Sequence, residues 1–284
     1  MWSDATVLGF ACDEGVRRNG GRVGAAAGPE AIRTALARLT CLPANALREA
    51  GDVSCNGADL EAAQTELADR VGQLLQCGER PLLLGGGHEM AWGSYRGIRQ
   101  HIGDASLGII NLDAHFDLRD PVTGGNSGTP FRQIAEACED SGLGFHYLVL
   151  GVNPASNARS LFDYATDRQV QWYEDSYCSS AHCEELGEAL EAFIAARQFI
   201  YLSICLDAFP AALAPGVSAP GVPGICPFTA IELVHRIQQA CQCHDTALIL
   251  VDIAEMNPRF DRDGITARWA ARLVYELLFS DSAS

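Results

Sequence analysis

Residues 106–117 read SLGIINLDAHFD, and this stretch decides the architecture. A continuous apolar, β-branched run, 106–112, ends abruptly in three polar side chains, Asp113, His115 and Asp117. A run apolar on both alternating faces predicts a strand buried on both sides, as in a parallel sheet. Similar runs lie at 5–10 (ATVLGF), 80–85 (RPLLLG), 146–150 (HYLVL), 199–205 (FIYLSIC) and 246–252 (TALILVD), with weaker ones near 47–53 and 168–172. Between them, 29–39, 58–77, 182–197, 228–242 and 263–279 carry apolar residues at helical spacing. Alternation of strand and helix predicts an α/β fold of three layers, α/β/α, around a mostly parallel sheet of about eight strands. No composition break divides the chain, so 1–284 is read as one domain.

Spacing of two along an extended chain puts Asp113, His115 and Asp117 on one face. Three polar groups at a buried strand end need something to satisfy them, and a cation does so for mixed carboxylate and imidazole donors. Two further strand ends carry chemistry: Gly85-Gly86-Gly87-His88-Glu89 after 80–85, and Ser203-Ile204-Cys205-Leu206-Asp207 after 199–205. Glycines let the backbone turn and approach a site closely. Donors from three strand ends suffice for two metals, and a metal pair lowers the pKa of water toward neutrality.

Composition bounds the remaining possibilities. The chain has 284 residues, 48% hydrophobic and 20% charged, with a formal net charge of −16. That is globular composition, and its acidity argues against a nucleic-acid partner. No apolar run reaches membrane-spanning length, so no membrane partner is expected. Met1 to Phe10 contains Asp4 and lacks the basic start of a secretory signal. Eleven cysteines, an odd number without small-secreted-domain spacing, suit free thiols in the cytoplasm. Cys241 and Cys243 fall two apart on a helix candidate, where their side chains diverge.

In this order, GGGHE, NLDAHFD and SxxLD, with Gly28-Pro29-Glu30-Ala31-Ile32-Arg33 and Glu255-Met256-Asn257-Pro258, resemble the arginase–agmatinase–formimidoylglutamase family over almost the whole chain. Residues 12–29 (CDEGVRRNGGRVGAAAGP), 113–119 (DAHFDLR), 127–131 (SGTPF) and 214–221 (APGVSAPG) are most similar to its formimidoylglutamase branch. The resemblance implies two divalent metal ions, Mn²⁺, held by His88, Asp113, His115, Asp117 and Asp207. It implies that Asp117 also hydrogen-bonds a hydroxide between the metals and that Glu255 orients an amidine nitrogen. It implies a homo-oligomer and a small substrate with two carboxylates, N-formimidoyl-L-glutamate, hydrolysed to L-glutamate and formamide in histidine degradation.

A cationic amidine with two carboxylates needs acid near the metals and cations further out. Arg119 lies two residues past Asp117 and carries a guanidinium fork suited to a carboxylate. Arg132 is a second candidate, and Ser127 and Thr129 offer hydroxyls. One position departs from the family pattern: Cys205 stands where relatives carry the aspartate that bridges both metals. Three readings stay open: weakened binding of two metals, a softer ion such as Zn²⁺ bound through sulfur, or a homologue that no longer hydrolyses. A relative acting on another guanidino or amidino acid is a further alternative, although Arg119 argues against a substrate lacking carboxylates.

Overall fold

A computed structural model describes residues 5–40 and 47–279; Met1–Asp4, at the start of the stretch read for a signal, lie outside the described residues. Among the described residues eight strands form one sheet: β1 (Ala5–Ala11), β2 (Leu47–Ser54), β3 (Arg80–Gly85), β4 (Leu107–Leu112), β5 (His146–Val152), β6 (Gln171–Glu174), β7 (Phe199–Cys205) and β8 (Ala247–Ala254). Their order is β2-β1-β3-β8-β7-β4-β5-β6 and every pairing is parallel. The three-layer α/β/α expectation therefore holds, and the two weaker strand candidates become the sheet edges, β2 and β6.

The apolar runs alternate between two cores. Leu82, Leu84, Ile110, Leu112, Leu202 and Ile204 face one helical layer, while Leu83, Ile109 and Tyr201 face the other. Period-two side chains thus bury both faces of the central strands. One layer is built from α2 (Gly28–Leu36), α7 (Cys183–Ala195), α8 (Pro227–Cys243) and α9 (Ile265–Phe279). The other contains α3 (Leu60–Gln76), α4 (Met90–Ile102), α5 (Pro130–Asp140) and α6 (Arg159–Asp167). A short helix, α1 (Glu14–Arg18), follows β1.

Helices α4, α5 and α6 were not among the helix candidates. In α4 the obstacle is Gly93 and Gly97, which weaken a helix considered alone. Packing explains them: a Cβ at Gly93 would lie 2.9 Å from the Gln64 carbonyl oxygen, and one at Gly97 would lie 2.6 Å from that of Ala68. The two glycines let α4 press against α3, whose Leu67 and Val71 are fully buried. Burying each such side chain contributes about 1.5–3 kcal/mol.

Candidate metal centre

Four adjacent strands, β3-β8-β7-β4, release the candidate residues from their carboxyl ends. His88 follows β3, Glu255 follows β8, Asp207 follows β7, and Asp113, His115 and Asp117 follow β4. Carboxyl-end crevices are where open parallel sheets bind ligands. Gly86 makes the convergence possible, because a Cβ there would sit 2.2 Å from the Phe10 carbonyl oxygen and 2.4 Å from that of Cys12. Its own carbonyl accepts the Glu255 amide at 2.8 Å. Asp117 and Glu255 both have left-handed backbones, with φ of 49° and 69°. Non-glycine residues adopt that region when surrounding structure enforces it, often at functional sites.

The side chains gather into two groups that share Asp113. His88 Nδ1 lies 3.0 Å from Asp113 Oδ2 and 3.0 Å from Asp117 Oδ2. His115 Nδ1 lies 3.5 Å from Asp113 Oδ1 and 3.1 Å from Asp207 Oδ2. Cys205 Sγ donates to Asp207 Oδ1 at 2.9 Å. Donor atoms of His88, Asp113 and Cys205 lie within 4.8 Å of one another, and so do those of Asp113, His115 and Asp207. All five residues predicted as metal ligands are thus brought together, with Cys205 among them.

Behind His88 runs a chain that fixes its ring. Asp252 accepts from the Tyr201 hydroxyl and, at 2.7 Å, from the Ser203 hydroxyl. Ser203 has then given away its only proton, so at 2.8 Å its oxygen accepts from His88 Nε2. This tautomer leaves Nδ1 facing the acids. Tyr201, Ser203 and Asp252 are fully buried. A ligating histidine held through its other nitrogen is the usual way such a ring is oriented.

The charge balance fits cations here. Burial opposes charge on His88 and His115, but the facing aspartates overcome it and hold both imidazoles well above their usual range. Burial also opposes ionisation of Asp113, yet the adjacent His115 and His88 keep it below the usual range. The other acids lack enough partners. Burial, then the Asp113 charge, pushes Asp117 up to about 6, and burial raises Asp207. Burial, then Glu89 and Asp207, raises Glu255 well above the carboxylate range, while burial pushes Glu89 up to about 7. The Cys205 thiol is raised by burial and then by Asp113 and Asp207. His88 Nδ1 and Glu255 Oε2 are buried without an aligned hydrogen-bond partner among the described residues. Surplus buried negative charge and an orphaned imidazole nitrogen are what divalent cations would satisfy.

A small cavity opens onto this cluster. His88, His115, Asp117, Cys205, Asp207 and Glu255 form its acidic side. Arg119, Ser127, Asn19 and Ser218 also line it. Arg119 Nη1 donates to Asn19 Oδ1 at 3.0 Å, and Asn19 Nδ2 donates to Ser127 Oγ at 3.1 Å. Arg22 anchors the segment that carries Ser218: its guanidinium donates to the carbonyls of Pro215, Val217 and Ser218, and its amide to Ser218 Oγ at 3.1 Å.

Thr129 and Arg132 are placed elsewhere. Buried Thr129 accepts from the Asn126 amide and lies 2.9 Å from the Asn126 carbonyl and the Gln133 side-chain oxygen, bracing the loop before α5. Arg132 pairs with Glu136 at 2.9 Å and Asp120 at 3.2 Å, its guanidinium 4.3 Å above the Tyr164 ring. Neither side chain lines the cavity: Thr129 is held by Asn126 and Gln133, and Arg132, in the first turn of α5, by Asp120 and Glu136. Sequence reasoning missed Asn19, Ser218 and the Tyr201–Asp252–Ser203 chain. Asn19 lies inside the RRNGGR stretch of 17–22, where no local pattern singles it out.

Fold and site together define an α/β sheet whose central strand ends carry paired metal-donor groups. The chain belongs to the arginase family, whose model matches residues 3–280. It is 47% identical over 274 residues to a formimidoylglutamase of Ralstonia nicotianae, covering 94% of this chain and 82% of that one. A formimidoylglutamase of Aeromonas salmonicida is 47% identical over 272 residues, with 95% and 85% covered. The crystal structure of Trypanosoma cruzi formiminoglutamase with Mn²⁺ superposes with a TM-score of 0.83 at 26% identity, covering 99% of this chain and 94% of that one.

Proposed function

We propose that this protein hydrolyses N-formimidoyl-L-glutamate to L-glutamate and formamide, using two divalent cations. One observation carries the substrate assignment: exposed Arg119 lies on the same small cavity as the buried acids Asp117, Asp207 and Glu255. A molecule cationic at its amidine and anionic at its far end matches that polarity, and the curated formimidoylglutamase relatives support it.

His88, Asp113, His115, Asp117, Asp207 and Cys205 would hold the cations, which supply Lewis acidity and ionise water near neutral pH. Mn²⁺ suits the oxygen-rich donors Asp113 and Asp207 with His115. Glu255 Oε1 is fixed by the His88 amide at 2.9 Å, and Oε2 is left to hold the amidinium N–H. Arg119, steadied by Asn19, takes a carboxylate through its fork, and Ser127 adds a hydroxyl. Water adds to the amidine carbon and the bond to the glutamate nitrogen breaks. Asp117 holds the proton the water gives up and passes it to the departing amine. The chain is further read as a cytoplasmic homo-oligomer: free thiols among the described cysteines support the compartment, the family resemblance supports the assembly.

The test is glutamate release from N-formimidoyl-L-glutamate by the Mn²⁺-reconstituted chain, beside Cys205→Asp. Turnover by the unmodified chain is expected. Absence of turnover by both proteins would reject the substrate.

A further inference from the structure

We propose that Cys205 binds a cation through its sulfur, making the two metal positions of this chain chemically unequal. One is built from His88 nitrogen, Asp113 oxygen and Cys205 sulfur; the other from His115 nitrogen with Asp113 and Asp207 oxygens. The inference deepens the binuclear reading above and rests on it.

The geometry places the sulfur among the donors. Cys205 ends β7, is 1% exposed and pairs in register with Ala254 of β8, immediately before Glu255. The backbone therefore delivers its side chain to the same edge as the other donors. Its Sγ, a nitrogen of His88 and an oxygen of Asp113 share a 4.8 Å cluster. His88 Nδ1, almost fully buried, has no aligned partner among the described residues and points into that cluster. Asp113 turns Oδ2 toward His88 and Oδ1 toward His115, so it serves both positions. Asp207 likewise offers Oδ1 to Cys205 and Oδ2 to His115.

Donor chemistry then separates the two positions. Thiolate is a soft ligand favouring Zn²⁺ or Co²⁺, whereas carboxylate-rich sets suit Mn²⁺. Coordination replaces the S–H bond by a metal–sulfur bond and releases the thiol proton to water. The position holding Cys205 is therefore selective for the softer ion, and the position holding His115 and Asp207 keeps the harder one.

The test uses the full chain, stripped of metal by a chelator and titrated with Co²⁺ while near-ultraviolet absorbance is recorded. A thiolate-to-cobalt charge-transfer band is expected to rise to a plateau. It is expected to vanish in Cys205→Ser and Cys205→Asp, both checked for folding by circular dichroism and for bound metal by mass spectrometry. These variants separate Cys205 from the chain's other ten cysteines. With Zn²⁺ and Mn²⁺ supplied together, the unmodified chain is expected to retain Zn²⁺, and Cys205→Asp to retain more Mn²⁺. A chain loaded with two Co²⁺ yet lacking the band, or a band unchanged in Cys205→Ser, would overturn the proposal. No readout involves substrate, so loss of turnover alone rejects the function reading and leaves this one standing.

Discussion

Asp252 does not line the cavity, yet its two oxygens decide which nitrogen His88 presents to it. Ser203→Ala removes the acceptor for His88 Nε2–H and frees the ring to rotate or change tautomer. Loss of such an outer partner lowers metal affinity about 10- to 100-fold. Equilibrium titration with Mn²⁺, read by the free-ion electron paramagnetic resonance signal, checks this; unchanged affinity would reduce the chain to a packing feature. Arg119 also lines the cavity and is the residue proposed to hold the substrate carboxylate. Arg119→Ala removes a charge-assisted hydrogen bond worth about 1.5–3 kcal/mol, which corresponds to about a 10- to 150-fold rise in KM. On the function proposed above the carboxylate contact would be the same in ground and transition states, so kcat should change far less. Steady-state kinetics distinguishes this from a fall in kcat alone, which would place Arg119 in the chemistry instead.

At the scale of elements, the contact between α3 and α4 shows packing overriding propensity. Gly97→Ala would gain about 1 kcal/mol of helix propensity. Against that, the new methyl would meet the Ala68 carbonyl oxygen and Val71 Cβ, each at 2.6 Å. Overpacking costs about 1–3 kcal/mol, and a backbone obstruction lies at the upper end because it cannot rotate away. The variant is expected to melt below the parent in calorimetry; a higher Tm would show that α3 and α4 separate easily. Element boundaries were otherwise legible where the burial pattern is regular: β3, β4 and β7 begin or end within one residue of their apolar runs. Helices α5 and α6 escaped because short, polar-rich helices leave only a few apolar residues to set the period.

For the whole molecule, the metal centre ties stability to pH. Asp117 is raised to about 6 and Glu89 to about 7 in the folded chain, above their unfolded values near 4. Between those limits the folded state binds more protons than the unfolded one, so stability falls as pH rises. His88 and His115, raised well above their usual range, extend the same slope above about pH 6.5. Asp113 is lowered and contributes oppositely, through a stabilisation lost only in acid as pH falls toward its folded value. The metal-free chain should therefore lose stability from about pH 5 to pH 8. Bound cations would take over the neutralising role of those protons, so the Tm gain on adding Mn²⁺ should widen over the same interval. Calorimetry with chelator and with Mn²⁺ at several pH values checks this; a gain that shrinks with rising pH would contradict the charge balance drawn for the site.

What the sequence determined by itself was the set of strands and the donors at their ends. Buried parallel strands must be apolar on both faces, so polar residues such as Asp113, His115 and Asp117 stand out at once where a run stops. His88, after its three glycines, and Asp207 stand out for the same reason. Tertiary structure alone decided which distant residues complete the site. Asn19 reaches Arg119 across 100 positions and Ser203 reaches His88 across 115. Thr129 and Arg132 sit within a few residues of cavity-lining Ser127 in sequence, yet their side chains pair with Asn126 and Gln133 and with Asp120 and Glu136 instead. Periodicity registers burial along one strand or helix; which strand ends lie side by side is set by the sheet order, and no local pattern encodes that order.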